Sequence, residues 1–457
     1  MSACFRITPA LWDRIHHFAS FPQTGGNIDH TVSLQQMVLF GQNPSQGTLL
    51  KASQFLAEEL PVRLAHRVKE LDELPHNLSA MPSIKKVKNW YAQSFEELIN
   101  FPPVTLPLEI RAALMAPRTD DVALPESTRN PSIEDAGYIN GNGANGNGFN
   151  KLKLRVPMER RYARRTAPHR TALTPGRYYA NTKGVSWPPV VADYNRRFTK
   201  ALETIKTRHD PTVTTVAQGV LEWKKSQGAR TIGLDIQAWL DRFYMSRIGI
   251  RFLIGQHIAL CNQQPHPDYV GIICTNANVH DIVHEAIENA RFVCEEHYAM
   301  FKGPPVQLIC PPSLSFPYVP GHLSHICFEL LKNSLRAVVE RVGVDREDAF
   351  PPIKVIVVEG TEDITIKISD EGGGIPRSAI PLIWTYMYTT MEGQGIDQDF
   401  HASDFKAPMA GFGYGLPLSR LYARYFGGDL RLIAMDGFGT DVYIHLNRLS
   451  SSREPLQ

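Results

Sequence analysis

Apolar residues recur at three- and four-residue steps early in the chain. In GTLLKASQFLAEELPVRLAHRVKEL they fall at Leu49, Leu56, Leu60, Leu64, Val68 and Leu71, the spacing of one buried helical face. Pro61 lies inside this tract and is expected to kink it or divide it in two, because proline removes a backbone donor and crowds the preceding turn. PSIKKVKNWYAQSFEELINF follows, with Ser83 as its candidate N-cap. YNRRFTKALETIKTRH and LDIQAWLDRFYMSRIGIRFLIGQHIAL repeat the pattern. The latter is capped near Asp235 and turns Ile236, Leu240, Phe243 and Ile248 inward, with Ile250 and Phe252 flanking them. Four such tracts predict an antiparallel helical bundle over residues 30–265.

From residue 266 the pattern is mixed. NVHDIVHEAIENARFVCEEHY reads as a helix capped by Asn278, VQLIC as a short strand and GHLSHICFELLKNSLRAVVERV as a second helix. IKVIVVEGTEDITIKISD alternates like a β-hairpin with its polar turn at Glu359–Asp363, and DLRLIAMDGFGTDVYIHL like two further strands around a glycine turn. Strands joined by hairpins and interleaved with a few helices predict an α/β sandwich over residues 266–457, not a doubly wound parallel sheet. The expected class is therefore α+β. Residues 103–192 interrupt the bundle. Their centre, NGNGANGNGFN, buries too little apolar surface to offset its ordering entropy and is expected to be disordered. The basic run KLKLRVPMERRYARRTAPHR is either a solvated arm or a contact for an acidic partner.

Composition narrows the picture. With 457 residues, 43% hydrophobic and 21% charged, the chain is that of an ordinary globular protein of two or three domains. A net charge of +2 gives no field that would draw nucleic acid or a membrane surface, and no apolar run is long enough to span a bilayer. Cys4, Cys261, Cys274, Cys294, Cys310 and Cys327 form no CxxC pair and read as reduced core residues. Residues 1–29, with Arg6 and Arg14, permit a short mitochondrial presequence without requiring one.

Three segments carry chemistry. HICFELLKNSL places His325, Glu329 and Asn333 one turn apart on nearly one helix face. A carboxylate beside a packed stripe needs a partner, and the amide oxygen of Asn333 is a neutral ligand suited to Mg²⁺; the plain alternative is a helix with a polar edge. ISDEGGGIP ends a strand on Asp370, followed by Gly372, Gly373 and Gly374, so a carboxylate able to accept from an exocyclic amine is followed by backbone that a ring can approach. AGFGYGLPLSRLYARYFGG sets Gly411, Gly413 and Gly415 before a helix, an arrangement that cradles polyphosphate on free N–H groups. It has no βαβ context and no Lys–Ser/Thr pair, so neither a dinucleotide fold nor a P-loop fits. Arg247 and Arg251, one turn apart, face an anionic pocket or plain solvent.

The order HxxxExxxN, DxGxG, GxGxG resembles the Bergerat (GHKL) ATP fold of gyrase and the histidine kinases. FELLKNSLRAVVER, SDEGGGIP, YMYTT, AGFGYGLPLSRLYARYFGGDL and DGFGTD, with LAEELPVRLAHRVKELDELP and LDRFYMSRIGIRFLIGQH from the bundle, look like the mitochondrial pyruvate dehydrogenase kinases. The resemblance implies ATP and Mg²⁺ as cofactors and a serine kinase acting on the decarboxylase α subunit of the pyruvate dehydrogenase complex. Glu329 would be the general base, tuned by His325, and Asn333 the metal ligand, with Arg336 for a phosphate contact. Asp370, Gly372, Gly374 and Thr440 would line the base pocket; Gly411, Phe412, Gly413, Tyr414, Gly415 and Leu416 would wrap the triphosphate beneath a lid at about residues 386–410. Tyr91, Ser94, His209, Arg247 and Arg251 would line a regulatory pocket for a small carboxylate. The resemblance further implies a homodimer in the mitochondrial matrix, docked on the lipoyl domain of the acyltransferase core. Animal members carry a longer tail with an Asp–Trp pair; the sequence ends at SSREPLQ, which places tail-mediated coupling in question. The alternatives are a branched-chain 2-oxo acid dehydrogenase kinase, a histidine kinase using His209 in RHDPT, and a non-catalytic ATP-binding scaffold.

Overall fold

The computed structural model describes residues 5–21, 33–41, 45–107, 187–228, 232–264, 266–389 and 413–448, together with 110, 128 and 130. Its first part is helical: α1 (Pro9–Ala19), α2 (Leu34–Gly41), α3 (Gln46–Asp72), α4 (Pro82–Ile99), α5 (Pro189–Arg208), α6 (Thr212–Gln227) and α7 (Leu234–Asn262). Helices α3, α4, α5 and α7 pack into the expected bundle, closed by α1 and α6.

Several details depart from the sequence reading. Helix α1 lies within the expected N-terminal segment, yet it is capped by Thr8 and buries Leu11, Ile15 and Ala19 against the bundle. Helix α3 runs unbroken through Pro61, which is itself buried; one missing donor is a small loss against a stripe that continues for 27 residues. Helix α4 starts on Pro82 rather than at a Ser83 cap. Ser83 instead donates through its N–H (3.2 Å) and hydroxyl (2.7 Å) to Glu222 of α6, so a neighbouring helix supplies the acceptor. Helix α5 begins at Pro189, inside the span assigned to the insert. The low-complexity centre of the insert lies outside the described residues, but Asn130 is buried and donates to the carbonyls of Arg424 (3.0 Å) and Tyr425 (3.4 Å) at a helix end in the second domain. Helix α6 was not legible: its run of Thr and Val favours strand as much as helix.

The second part holds β1 (Tyr269–Val270), β2 (Ile273–Asn278), α8 (Val279–Tyr298), β3 (Val306–Ile309), β4 (Ser315–Tyr318), α9 (Pro320–Val342), β5 (Ile353–Glu359), β6 (Asp363–Asp370), α10 (Gly415–Tyr425), β7 (Asp429–Met435) and β8 (Gly439–Asn447). The five-stranded sheet runs β3-β5-β6-β8-β7, antiparallel except for the parallel β3–β5 pair that α9 connects. Its inner face, with Ile364, Ile366 and Ile368 of β6 and Val442, Ile444 and Leu446 of β8, is covered by α9 and α10, and α8 packs against α9. This is the two-layer α/β sandwich expected. A small antiparallel sheet, β1-β2-β4, adjoins the bundle, where Gln256 of α7 donates to Val270 O (2.8 Å) and accepts from Ile272 N (2.9 Å). Among the described residues, no helix is long and apolar enough to cross a membrane.

Candidate active site

Helix α9 carries the first part of the site. Ile326, Leu330, Leu331, Leu335 and Val338 bury its core stripe, which fixes how the helix is rotated over the sheet. His325 and Glu329 are each 7% exposed, whereas Asn333 is open to solvent. The line of three therefore runs from the interior outward. The His325 ring packs edge-on to Tyr422 of α10, with centroids 5.0 Å apart.

Glu329 Oε1 lies 2.8 Å from Lys332 Nζ. Two opposite charges this close and this shielded attract regardless of hydrogen-bond angle, and they form an ion pair. The same ammonium stands 4.9 Å from the Phe328 ring centre. Lys332 was not singled out in the sequence, although its i,i+3 spacing from Glu329 was a readable signal.

Glu329 Oε2 faces Gly415, the first residue of α10: a Cβ there would collide with it. The N-cap residue of α10, Tyr414, makes no side-chain cap hydrogen bond among the described residues, so the N–H groups of Gly415 and Leu416 are placed to meet an anion, Pro417 having none. A carboxylate and a helix N-terminus thus stand side by side. Gly413 has φ of +73°, and a Cβ at that position would run into the backbone of Tyr388. The segments at 388 and 413 therefore touch. Gly411, Phe412 and residues 390–410 of the expected lid lie outside the described residues. Leu416 is half-buried in the first turn of α10.

Asp370 ends β6, paired in register with Thr440 of β8. Both are nearly buried. The carboxylate accepts from Ser334 Oγ of α9 (2.9 Å) and from Gly372 N (2.9 Å), and burial raises its pKa despite these donors. Ser334 is a second residue that sequence alone did not mark. Gly372 fits against Ala337 of α9, and Gly374, with φ of +75°, fits against the backbone of Met435; side chains at either position would clash. Arg336 Nε donates along its own helix to Glu340 (2.8 Å).

The bundle grips this site. Gln237 of α7 accepts from Tyr386 N (2.8 Å) and donates to Tyr386 O (3.2 Å), and the Tyr386 hydroxyl donates to Asp241 (2.7 Å). Tyr386 and Tyr414 pack on each other and on Tyr244 of α7.

The second expected cluster lies inside the bundle. Tyr91 stacks on His209 with centroids 4.3 Å apart, and His209 Nε2 is 3.0 Å from Ser94 Oγ. Burial pushes the His209 imidazole down to about 3. Arg247, Arg67 and Arg251 place positive charge near the Tyr91 phenol, though burial dominates and its pKa rises. Arg247 is 3% exposed, while Arg251 is paired with Asp210 at 2.7 Å. The five residues meet, but Arg251 already holds a carboxylate.

Residues 31–274 match the family described as mitochondrial branched-chain alpha-ketoacid dehydrogenase kinase. Residues 318–450 match the histidine kinase-, DNA gyrase B- and HSP90-like ATPases. Across almost the full length the chain is 45% identical to a mitochondrial pyruvate dehydrogenase (acetyl-transferring) kinase of Schizosaccharomyces pombe, covering 98% of each chain. It is 38% identical to the protein of that name from Arabidopsis thaliana, over 99% of this chain and 98% of the relative. With human isozyme 3 it shares 35% identity over 92% of this chain and 83% of the relative. An ATPase-type sandwich joined to this helical bundle, and full-length relatives of one activity, together place the chain in the family of mitochondrial pyruvate dehydrogenase kinases.

Proposed function

We propose that this kinase transfers the γ-phosphoryl group of ATP to serine in the decarboxylase α subunit of the pyruvate dehydrogenase complex, in the mitochondrial matrix, and so inactivates the complex. The observation that carries this reading is the abutment of Glu329 on Gly415. It puts a carboxylate beside the helix end suited to a polyphosphate, where a base must stand to serve an incoming hydroxyl.

In this mechanism Glu329 accepts the proton of the serine hydroxyl as its oxygen bonds to the γ-phosphorus and the bond to the β-phosphate oxygen breaks. Lys332 and the packing around His325 hold the carboxylate in place. The first-turn N–H groups of α10 hold the phosphates, and Asp370 accepts from the adenine amine. Among the described residues no set of three His, Cys, Asp or Glu side chains could hold a metal by itself. Asn333, exposed one turn beyond Glu329, fits the role of a single amide ligand to a Mg²⁺ carried in on the nucleotide. Such an ion neutralises charge on the phosphates. The Tyr91–His209 cluster with Arg247 and Arg251 would be the regulatory carboxylate pocket, and the protein would act as a homodimer docked on lipoyl domains of the acyltransferase core.

The test is site mapping by mass spectrometry after incubation with ATP and each purified complex. Phosphoserine in the pyruvate decarboxylase α subunit is the expected product. Labelling of the branched-chain complex alone would favour the second reading, which the family match over residues 31–274 motivates. A phosphoacceptor role for His209 lacks physical access, since that imidazole is 1% exposed and stacked on Tyr91.

A further inference from the structure

Helix α9 touches the base-pocket loop along a second stripe, at Ser334, Ala337 and Arg341. These positions are spaced i, i+3, i+7 and so lie on one face. Ser334 holds Asp370 and Ala337 backs Gly372. Arg341 reaches furthest. Its Nη1 donates to Glu371 O at 2.7 Å and to Phe438 O at 2.6 Å, and its Nη2 to Gly437 O at 3.1 Å. Its aliphatic arm passes Gly373, close enough that a Cβ there would stand 3.7 Å from Arg341 Cδ. The two loops it joins are also paired backbone to backbone, Gly437 N to Gly373 O (2.7 Å) and Gly373 N to Phe438 O (3.1 Å).

An exposed arginine usually contributes little, and one in the last turn of a helix often serves only that helix's own carbonyls. Arg341 does neither. It is exposed, yet its guanidinium is spent on carbonyls of two other segments, one following Asp370 and the other leading into Thr440. A planar fork holds such carbonyls at fixed separation; an ammonium on a flexible stem does so only loosely. We propose that Arg341 is a positioning residue of the nucleotide site, stapling the 370–374 loop and the β7–β8 turn to the helix that carries Glu329, and thereby setting the width of the slot in which Asp370 reads the base. This rests on the assignment of Asp370 to the adenine amine.

The experiment is calorimetric titration of the full chain with ATP and with GTP, each with Mg²⁺, for the parent, Arg341→Met, Arg341→Lys and Asp370→Asn. Transfer kinetics are measured on the same proteins. Methionine keeps much of the arm and loses the donors. Loss of charged hydrogen bonds of this kind should weaken ATP binding about tenfold, and GTP binding much less, so that the preference for ATP falls. KM for ATP should rise by a larger factor than kcat falls, and Arg341→Lys should recover part of the preference. Equal weakening of ATP and GTP together with a lower melting temperature would reduce Arg341 to a stabilising contact and overturn the proposal, as would unchanged affinities. Asp370→Asn separates the two ideas. If it loses the ATP preference while Arg341→Met keeps it, the Arg341 role fails alone; if it keeps the preference, the base assignment fails and the Arg341 proposal with it.

Discussion

Replacing Glu329 by glutamine tests the base and its surroundings at once. The side chain keeps its shape and one acceptor, but loses its charge and the capacity to take a proton at neutral pH. A positioned general base contributes roughly 10²–10⁴ in rate, so transfer to the substrate serine should fall by a factor in that range. Nucleotide affinity should change little, because in the proposed site the phosphates would be held by α10. A second effect follows from Lys332. Its side chain is 3% exposed and paired with Glu329 at 2.8 Å. Removing one member of a shielded ion pair costs about 3–5 kcal/mol; glutamine still offers an oxygen dipole, which leaves about 2 kcal/mol. In a domain of this size that is a drop of roughly 4–8 °C in melting temperature.

The double variant Glu329→Gln/Lys332→Met sharpens the argument. It removes both charges, so no ammonium is left stranded, and methionine fills the space beside Phe328. Most of the lost stability should return, while transfer stays low. The assay is phosphate incorporation into the decarboxylase at saturating ATP, beside thermal unfolding of each protein. Transfer by Glu329→Gln within about threefold of the parent, against the 10² minimum expected of a base, would remove Glu329 from that role. Failure of the double variant to recover stability would show that the ion pair is not what the single change disturbs.

Three further outcomes follow. Because burial raises Asp370, its ionised form costs the fold stability that grows as pH climbs from the ordinary aspartate range through the raised value. Asp370→Asn should therefore be stabilising at neutral pH and neutral in strong acid, and the parent's ATP affinity should decline on acidification while the variant's does not; parallel urea and binding titrations check this. His209 is lowered from 6.5 to about 3, so the unfolded chain binds its proton first. It contributes stability that is full above pH 6.5 and is lost on descent toward 3, at up to about 1.4 kcal/mol per pH unit. His209→Gln should flatten that part of the urea-midpoint profile, and an unchanged slope would contradict its burial. Gly374→Ala forces a side chain into a left-handed φ of +75° and onto the Met435 backbone. It should lower stability by about 1–3 kcal/mol and weaken ATP binding, as followed by unfolding and calorimetry.

How much of this was legible in sequence depended on whether the signal was local. Strands β6 and β8 bury alternate residues, β5 and β7 are rich in Val, Ile and Leu, and both hairpins turn on polar or glycine residues, so their strands were readable. β2 and β4 were not: they are short, and β2 meets β4 through a shifted register between Cys274 and Ala277, which leaves no period to count. Motifs confined to one turn or loop, such as His325–Glu329–Asn333, Asp370 to Gly374 and Gly413 to Gly415, also announced themselves. What none of them announced is which atoms meet. Glu329 touches Gly415 only because α9 and α10 lie on the same face of the sheet, and Ser334 finds Asp370 only because the core stripe of α9 sets its rotation.

The contribution of the bundle was the least legible part, and it bears most on how the two halves work together. Gln237 and Asp241 sit on the polar side of α7, where a single sequence gives no reason to choose them over other surface residues. Yet they hold Tyr386 by three hydrogen bonds. Tyr386 packs on Tyr414, the residue before Gly415, and Gly415 meets the carboxylate of Glu329. On the other side, Tyr244 of the same helix packs on Tyr414 and lies one turn from Arg247. A shift of α7 along its axis would therefore move Tyr386 and Tyr414 together, and with them the glycine that borders the carboxylate. Packed interiors transmit such displacements because they have no slack to absorb them. The helix carrying the proposed regulatory arginines is thus mechanically joined to the site whose chemistry they would govern.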